Sequence, residues 1–203
     1  MVFNNGSWPD SFVGAACSHM LNRMMHDGMT KFGLADDNAL LARSAWAGSQ
    51  RYGTAVWSGD IMSNFTSLRQ QVRAGLNMGM SGLPCWTTDI GGYNMYAEYD
   101  GGTENPRFRQ LLVRWFQFGV FCPLFRVHGS RIGGPSQEGG NLACGPTNSA
   151  NEAWMFGTEA EDAISRVMRL REELRPYIME HAVQGDDGDR RSNYAATLRR
   201  LSR

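Results

Sequence analysis

Hydrophobic and polar positions along the chain fall into two alternating kinds of segment. The first kind is short and apolar, with polar or glycine residues at both ends, which is typical of a buried strand. Four such runs predict strands at 39–45, 54–57, 82–87 and 121–127. The second kind repeats its apolar residues every three or four positions, which predicts helices at 18–32, 64–77, 106–118 and 159–177. Because the two kinds alternate, we expect parallel strands joined by crossover helices.

Local signals support the helix limits. Ser63 and Asn64 are both suited to cap the second helix, and Pro106 is suited to open the third. Pro176 is expected to disturb the end of the fourth helix. Four strands are too few to close a β/α barrel, which takes eight. The pattern therefore leaves two architectures open, namely an open doubly wound sheet and half of a barrel.

The apolar face of the first helix is rich in methionine. It carries Leu21, Met24, Met25 and Met29. Such a face is found in adaptable binding grooves as well as in protein cores, and we interpret this one as a core face.

Composition narrows the classes of function. The chain has 203 residues, 42% of them apolar, and its 20 basic and 20 acidic side chains balance. No broad field therefore attracts nucleic acid or an anionic membrane. No apolar run approaches the roughly 18–20 residues that span a bilayer, and the first residues do not resemble a signal peptide, so we expect a cytoplasmic protein by default. The four cysteines are widely spaced, so we expect buried apolar side chains and neither a disulfide nor a metal site.

Chemically active side chains lie at or directly after the end of each predicted strand. They are Arg43, Asp60, Asp89 and His128. Each has an ordinary alternative, since Asp60 also suits a helix cap, Asp89 a turn, and His128 a structural role. Because parallel strands end at the same edge, however, all four should converge on one rim, where binding sites form.

Aromatic residues accompany these strand ends. Trp57, Trp86 and Tyr93 lie at or near them, whereas Trp115 lies inside a predicted helix and suits a core. Aromatic faces pack on the C–H faces of sugars, while carboxylate, guanidinium and imidazole groups bind sugar hydroxyls. This combination points towards a carbohydrate site.

Five ordered sequence blocks make the carbohydrate reading specific. They are RSAWAGSQRY at 43–52, WSGD at 57–60, WTTDIGGY at 86–93, the run from RWFQ at 114–117 to FRVHG at 125–129, and LREELRPY at 170–177. In this order they resemble glycoside hydrolase family 31. The resemblance covers about residues 18–180, which is most of the chain.

The resemblance implies a (β/α)8 TIM barrel, of which this chain would form roughly strands 5–8 with their helices. Residues 1–182 would then be the C-terminal half of the catalytic domain. Family members are retaining, exo-acting α-glucosidases and α-xylosidases. We therefore expect an oligosaccharide or glycoside as substrate and no cofactor.

Site roles follow from the resemblance residue by residue. Asp60 matches the catalytic acid/base. Arg43 and His128 match residues that contact the sugar before the scissile bond, and Trp57 and Tyr93 match aromatic positions of the same pocket, with Trp86 beside them. Asp89 is expected to hold Arg43 or His128, and Arg126 is expected to be structural.

Retaining hydrolysis needs a second carboxylate about 5–5.5 Å from the first. The family's nucleophile is an aspartate on the fourth barrel strand, which precedes the residues matched here. Four aspartates precede the first matched block, and none of them fits that motif: Asp10, Asp27, Asp36 and Asp37. We therefore expect that the chain starts after strand four, that it is inactive alone, and that exposed edges of a half-barrel make it poorly soluble.

The segment 183–203 departs from the family pattern. It is polar and arginine-rich, which is typical of disorder. Suitable codons for 193–203, read one nucleotide later, spell the Ile-Met-Arg-Pro segment that family members carry at this place. We therefore hypothesise a frameshifted tail, which the coding DNA tests.

Two other functions stay open at the level of sequence. One is a non-catalytic sugar-binding protein with a degenerate barrel. The other is a nucleotide-binding domain, although the glycine-rich stretch at 75–82 lacks the Gly-x-Gly-x-x-Gly spacing.

Overall fold

The computed structural model describes residues 10–35, 38–95, 99–133 and 151–184. The predicted tail at 183–203 lies outside these ranges except for its first two residues, and so does Cys144. The chain divides into two units. The first contains the described residues of Met1–Trp57, Met78–Trp86 and Pro176–Arg203, and the second contains those of Ser58–Asn77 and Thr87–Arg175.

The described residues form five α-helices and three strands. The helices are α1 (Asp10–Lys31), α2 (Phe65–Met80), α3 (Pro106–Gly119), α4 (Thr158–Glu173) and α5 (Arg175–Gln184). The strands are β1 (Leu40–Ala42), β2 (Thr54–Trp57) and β3 (Trp86–Thr87). None of the described helices is long and apolar enough to cross a membrane.

The first unit contains most of a small sheet. Its strands lie in the order β1-β2-β3, and β1 and β2 are parallel, with Leu40 opposite Thr54. This confirms the predicted parallel pairing for these two strands. The methionine-rich face of α1, however, is not a core face here. Three of its four predicted members, Leu21, Met24 and Met25, are more than half exposed, and Met29 is half-buried. The neighbouring Met20 is exposed as well.

The second unit holds a continuous hydrophobic core around α3. Leu111, Leu112 and Trp115 are fully buried on one face of α3, and Ile164 of α4 is buried in the same cluster. The core position predicted for Trp115 is therefore confirmed. This core supports Ile90, which belongs to a loop that follows β3.

Asparagine side chains cap two helices of the second unit. Asn64 Oδ1 accepts a hydrogen bond from the Ser67 amide at 2.7 Å, which satisfies one of the open donors in the first turn of α2. Asn105 caps α3 in the same way, and Pro106 follows it at the first helical position. Asp60 is therefore not the cap of α2.

The prediction of a strand at 121–127 is wrong for most of its length. After α3 the backbone turns, and Cys122 donates its amide to the carbonyl of Gly119 at 2.9 Å. The carbonyls of Val120, Cys122 and Pro123 accept hydrogen bonds from the guanidinium of Arg171 on α4. These carbonyls are thus occupied by a side chain, and only Val127 forms a parallel bridge, to Ile90.

The single helix predicted at 159–177 is divided in two. α4 ends at Glu173 and α5 begins at Arg175, because Pro176 has no amide hydrogen to continue the first helix.

Candidate active site

Three loops of the second unit lie side by side and carry most of the candidate residues. We call them the rim loops: 58–63, 88–95 and 126–131. The parallel bridges Met62–Asn94 and Asn94–Ser130 connect the first loop to the second and the second to the third. Backbone hydrogen bonds follow the same path, from the Ser63 amide to the Asn94 carbonyl at 2.9 Å and from the Ser130 amide to the Tyr93 carbonyl at 2.8 Å.

The rim loops fit together because glycine replaces side chains where they touch. Gly92 has a φ of 77°, and a Cβ there would lie 2.6 Å from the Cα of Ser63. Any other residue would separate the first two rim loops as well as strain the backbone. The Asp-Ile-Gly-Gly sequence is therefore a requirement of close approach.

Asp60 lies exposed on the first rim loop, three residues beyond the end of β2. Gly59 precedes it with a φ of 73°, which turns the chain. The main-chain carbonyl of Asp60 accepts a hydrogen bond from Asn94 Nδ2 at 2.9 Å. The second rim loop thus fixes the backbone that carries the Asp60 carboxylate.

Asp89 is completely buried and forms an ion pair with Arg126 of the third rim loop. Sequence reasoning expected Asp89 to hold Arg43 or His128, and the ion pair found in the described residues is with Arg126. Burial raises the pKa of the Asp89 carboxyl, the charges of Arg126 and His128 lower it, and the Asp60 carboxylate raises it further; the net shift is upward. Burial outweighs the ion pair because the hydration energy that the carboxylate loses is larger than the stabilisation that one partly exposed cation provides.

Tyr93 and His128 form a ring pair across the second and third rim loops. Their ring centroids are 5.3 Å apart and the planes are inclined by 42°. Tyr93 is half-buried, whereas His128 is exposed. The pair therefore offers an aromatic surface beside an imidazole that remains accessible to a ligand.

Three predicted site residues belong to the first unit. Arg43 is exposed one residue after β1, and Trp57 is the half-buried last residue of β2. Trp86 opens β3 and is only 7% exposed, so its ring mainly fills the core. The structure thus brings Asp60, Asp89, Tyr93 and His128 together on the rim loops. Arg43, Trp57 and Trp86 lie in the first unit.

Sequence reasoning missed Arg131, which lies on the third rim loop. Its side chain is fully buried and donates to the carbonyls of Gly92 at 2.7 Å and Ile90 at 3.0 Å. Burial lowers the pKa of this guanidinium to about 10, against the opposing charge of Asp89. The signals in the sequence were an arginine directly after the His-Gly-Ser segment and a pair of glycines, Gly91 and Gly92, in the second rim loop.

The arrangement has the parts that recognition of a polyhydroxylated ligand requires. Asp60 can exchange a proton with a ligand or water, and His128 and Tyr93 can donate and accept hydrogen bonds. The Asp89–Arg126 pair lies behind these groups and joins the second and third rim loops.

Comparison with known proteins identifies the same region. Residues 4–181 match the family model for the TIM-barrel domain of glycosyl hydrolases family 31. This confirms the resemblance inferred from the five sequence blocks, and it favours a β/α barrel over an open doubly wound sheet.

Curated relatives carry glycosidase names. An α-xylosidase of Saccharolobus solfataricus is 40% identical over 139 residues, which are 68% of this chain and 16% of that protein. A family 31 glucosidase of Pseudescherichia vulneris, described as uncharacterized, is 56% identical over 91 residues, which are 45% of this chain and 16% of that protein. The chain therefore spans about a sixth of the length of these relatives.

Solved structures agree with the family match. A family 31 α-xylosidase from a soil metagenome, complexed with xylose, has a TM-score of 0.71 at 42% identity, over 83% of this chain and 25% of that one. A Flavobacterium johnsoniae dextranase complexed with glucose has a TM-score of 0.58 at 34% identity, over 79% of this chain and 18% of that one.

Proposed function

The chain belongs to glycosyl hydrolases family 31, and from this premise we propose that it carries the acid/base side of an α-glycosidase active site. The proposed reaction is hydrolysis of terminal α-linked xylose or glucose with retention of configuration. Residues 1–182 would supply strands 5–8 of the catalytic barrel with their helices. The observation that carries the proposal is the joining of Asp60, Tyr93 and His128 on the rim loops.

Asp60 is the proposed general acid and base. In the first step it protonates the glycosidic oxygen that leaves, and in the second it deprotonates the water that attacks the glycosyl–enzyme intermediate. Its exposed position supports this role, because the water of the second step must reach the residue and returns the proton that it gave up in the first step.

The remaining rim residues are proposed to hold the sugar. His128 would bind a hydroxyl, with Tyr93 packed beside its ring. Arg43, Trp57 and Trp86, which lie in the first unit, are also proposed to bind the sugar, on the resemblance of their sequence blocks to those of the family.

Asp89 is proposed to position neighbouring residues and not to transfer protons. One of its oxygens is held by Arg126, and its buried position separates it from solvent. The pair connects the rim loop that carries Tyr93 to the loop that carries His128.

We propose that the nucleophile comes from residues beyond this chain, so the chain alone should not turn over an aryl α-xyloside or α-glucoside. The reason is that retention requires a second carboxylate opposite Asp60. Release of 4-nitrophenol measures this directly. Turnover that Asp60→Ala abolishes would contradict the proposal, whereas turnover that persists in Asp60→Ala would indicate a contaminant.

A chimera tests the catalytic role itself. The matching segment of the soil-metagenome α-xylosidase is replaced by this chain's residues 18–180, and kcat/KM is measured on an α-xylobioside-type disaccharide and on 4-nitrophenyl α-xyloside. Asp60→Ala should lower the rate on the disaccharide by about 10²–10⁴-fold, as expected for loss of a general acid, and less with the good leaving group. The matched control Asp162→Ala, an exposed aspartate on α4, should change neither rate. Equal loss on both substrates would argue against an acid/base role for Asp60.

A further inference from the structure

The buried cation of the rim loops has no role in the proposed chemistry. Arg131 lies three residues after His128 on the third rim loop, and none of its side chain is exposed. Its two terminal nitrogens reach the second rim loop, where they donate to the carbonyls of Gly92 at 2.7 Å and Ile90 at 3.0 Å. These carbonyls are on either side of Gly91, between Asp89 and Tyr93.

A guanidinium is the group that suits this position. Its planar fork can reach two carbonyls separated by one residue, whereas an ammonium would act from a single point. The guanidinium carbon lies 5.4 Å from the ring centre of Phe108, a fully buried core residue, so the fork is packed against a rigid support. The position of Arg131 is therefore fixed by the core of the second unit.

Two glycines give the guanidinium its space. A Cβ at Gly91 would lie 2.6 Å from Arg131 Nη2, and a Cβ at Gly129 would lie 2.6 Å from Nη1. Gly91 is on the loop that carries Tyr93, and Gly129 directly follows His128. The close approach of both loops is thus built around this one side chain.

Arg131 also belongs to a chain of neighbouring charges. It lies close enough to Asp89 for the carboxylate to raise the pKa of the guanidinium against the effect of burial. Asp89 in turn binds Arg126 of the third rim loop. Burying a cation is costly, and its removal would leave the Ile90 and Gly92 carbonyls and the nearby Asp89 carboxylate without this partner.

We propose that Arg131 is a positioning residue, which sets the placement of Tyr93 relative to His128 and so the geometry of the sugar subsite. Arg131 itself does not touch the sugar. The inference deepens the proposed function and rests on it for the identity of the ligand as a sugar. The placement of the two rings can be tested without any ligand.

The test compares two arginines that hold main-chain carbonyls in the same unit. Arg171 makes comparable bonds to Val120, Cys122 and Pro123, outside the rim loops, so Arg171→Met is the matched control for Arg131→Met. The chain has four histidines, so labelling histidine alone gives a simple NMR spectrum in which His128→Gln identifies the signal of interest.

Both methionine variants should lose thermal stability, but only Arg131→Met should shift the His128 ring signal, because only there does the Tyr93 ring move. Methyl α-D-xyloside serves as the probe for binding. Arg131→Met should weaken its binding by about tenfold, the effect of one misplaced hydrogen-bonding group, whereas Arg171→Met should leave binding unchanged. Arg131→Lys, which keeps the charge, should be more stable than Arg131→Met. Its His128 signal should lie between those of Arg131→Met and the unsubstituted chain.

Three results would overturn the proposal. The first is a His128 signal that stays in place in a folded Arg131→Met chain. The second is an equal shift in Arg171→Met. The third is failure of both Arg131 variants to fold while Arg171→Met folds, which would make the role purely structural. If Asp60→Ala leaves both rates of the chimera unchanged but Arg131→Met still shifts the His128 signal, the proposed function fails and the positioning role stands.

Discussion

At the scale of single residues, Asp89 shows how burial and charge pairing compete at the candidate site. The carboxyl group is completely buried, and its pKa is raised by that burial although Arg126 and His128 oppose the shift. A raised pKa means that the folded chain binds this proton more tightly than the unfolded chain does. The contribution of Asp89 to stability is therefore fully present below its ordinary pKa, about 3.9, and is lost as the pH rises through the folded value.

This sign predicts that Asp89→Asn removes a decline in stability with rising pH. The unsubstituted chain should lose free energy of unfolding above about pH 4 through this group, and the variant should not, because asparagine carries no titrating proton. Thermal unfolding of both chains across a pH series from 4 to about 7 measures the difference in slope. The absolute stability of the variant will be lower since its ion pair is lost, so the slope and not the midpoint is the readout. Parallel slopes would show that the pKa of Asp89 is not raised.

The same residues show what the sequence can and cannot reveal. Asp60, Asp89 and His128 were found because each follows an apolar strand-like run, and the ends of such runs meet. The partner of Asp89 was not found, because Arg126 is 37 residues away and nothing local distinguishes it from His128. Arg131 was missed for a related reason, since a buried arginine and a surface arginine look the same until the carbonyls around it are placed.

At the scale of elements, helix caps decide between two readings of the segment after β2. Asn64 caps α2 through Ser67, while Asp60 lies four residues earlier on the first rim loop. Asn64→Ala should therefore cost about 1 kcal/mol of stability, the usual effect of losing a cap, and Asn64→Asp should cost much less. Asp60→Ala should leave the unfolding midpoint nearly unchanged. Thermal unfolding measures all three variants. A loss in Asp60→Ala as large as in Asn64→Ala would assign the capping role to Asp60 after all.

The elements that sequence reasoning misplaced share one cause. The run at 121–127 is apolar enough for a strand, but its carbonyls are bound by Arg171, which is about fifty residues away in the chain. The spacing of apolar residues indicates which side chains are buried. It does not indicate which groups form hydrogen bonds with the backbone carbonyls. Local signals placed the starts of α2 and α3 to within one residue, whereas α2 ends three residues later than predicted.

At the scale of the whole molecule, the described residues expose apolar side chains on helix faces that the sequence pattern predicted to lie in the core. The methionine-rich face of α1 has the spacing of a core face, yet Leu21, Met24 and Met25 are more than half exposed. On α2 the apolar Leu76 and Met80 are exposed while the polar Ser67 and Gln71 are buried. Surfaces of this kind in one molecule associate with one another in water.

We therefore predict that the chain self-associates and that the exposed face of α1 contributes to it. Met20 and Met24, 61% and 59% exposed, are one helical turn apart, so a single pair of substitutions changes the face. Met20→Gln with Met24→Gln should reduce association, because glutamine is polar, favours helix nearly as well, and leaves the net charge at zero. The control pair Met20→Leu with Met24→Leu keeps the face apolar and should associate like the unsubstituted chain. Sedimentation velocity over a series of concentrations measures the outcome. An unsubstituted chain that sediments as a monomer at all concentrations would contradict the prediction. Equal association of the glutamine and leucine double variants would show that another surface is responsible.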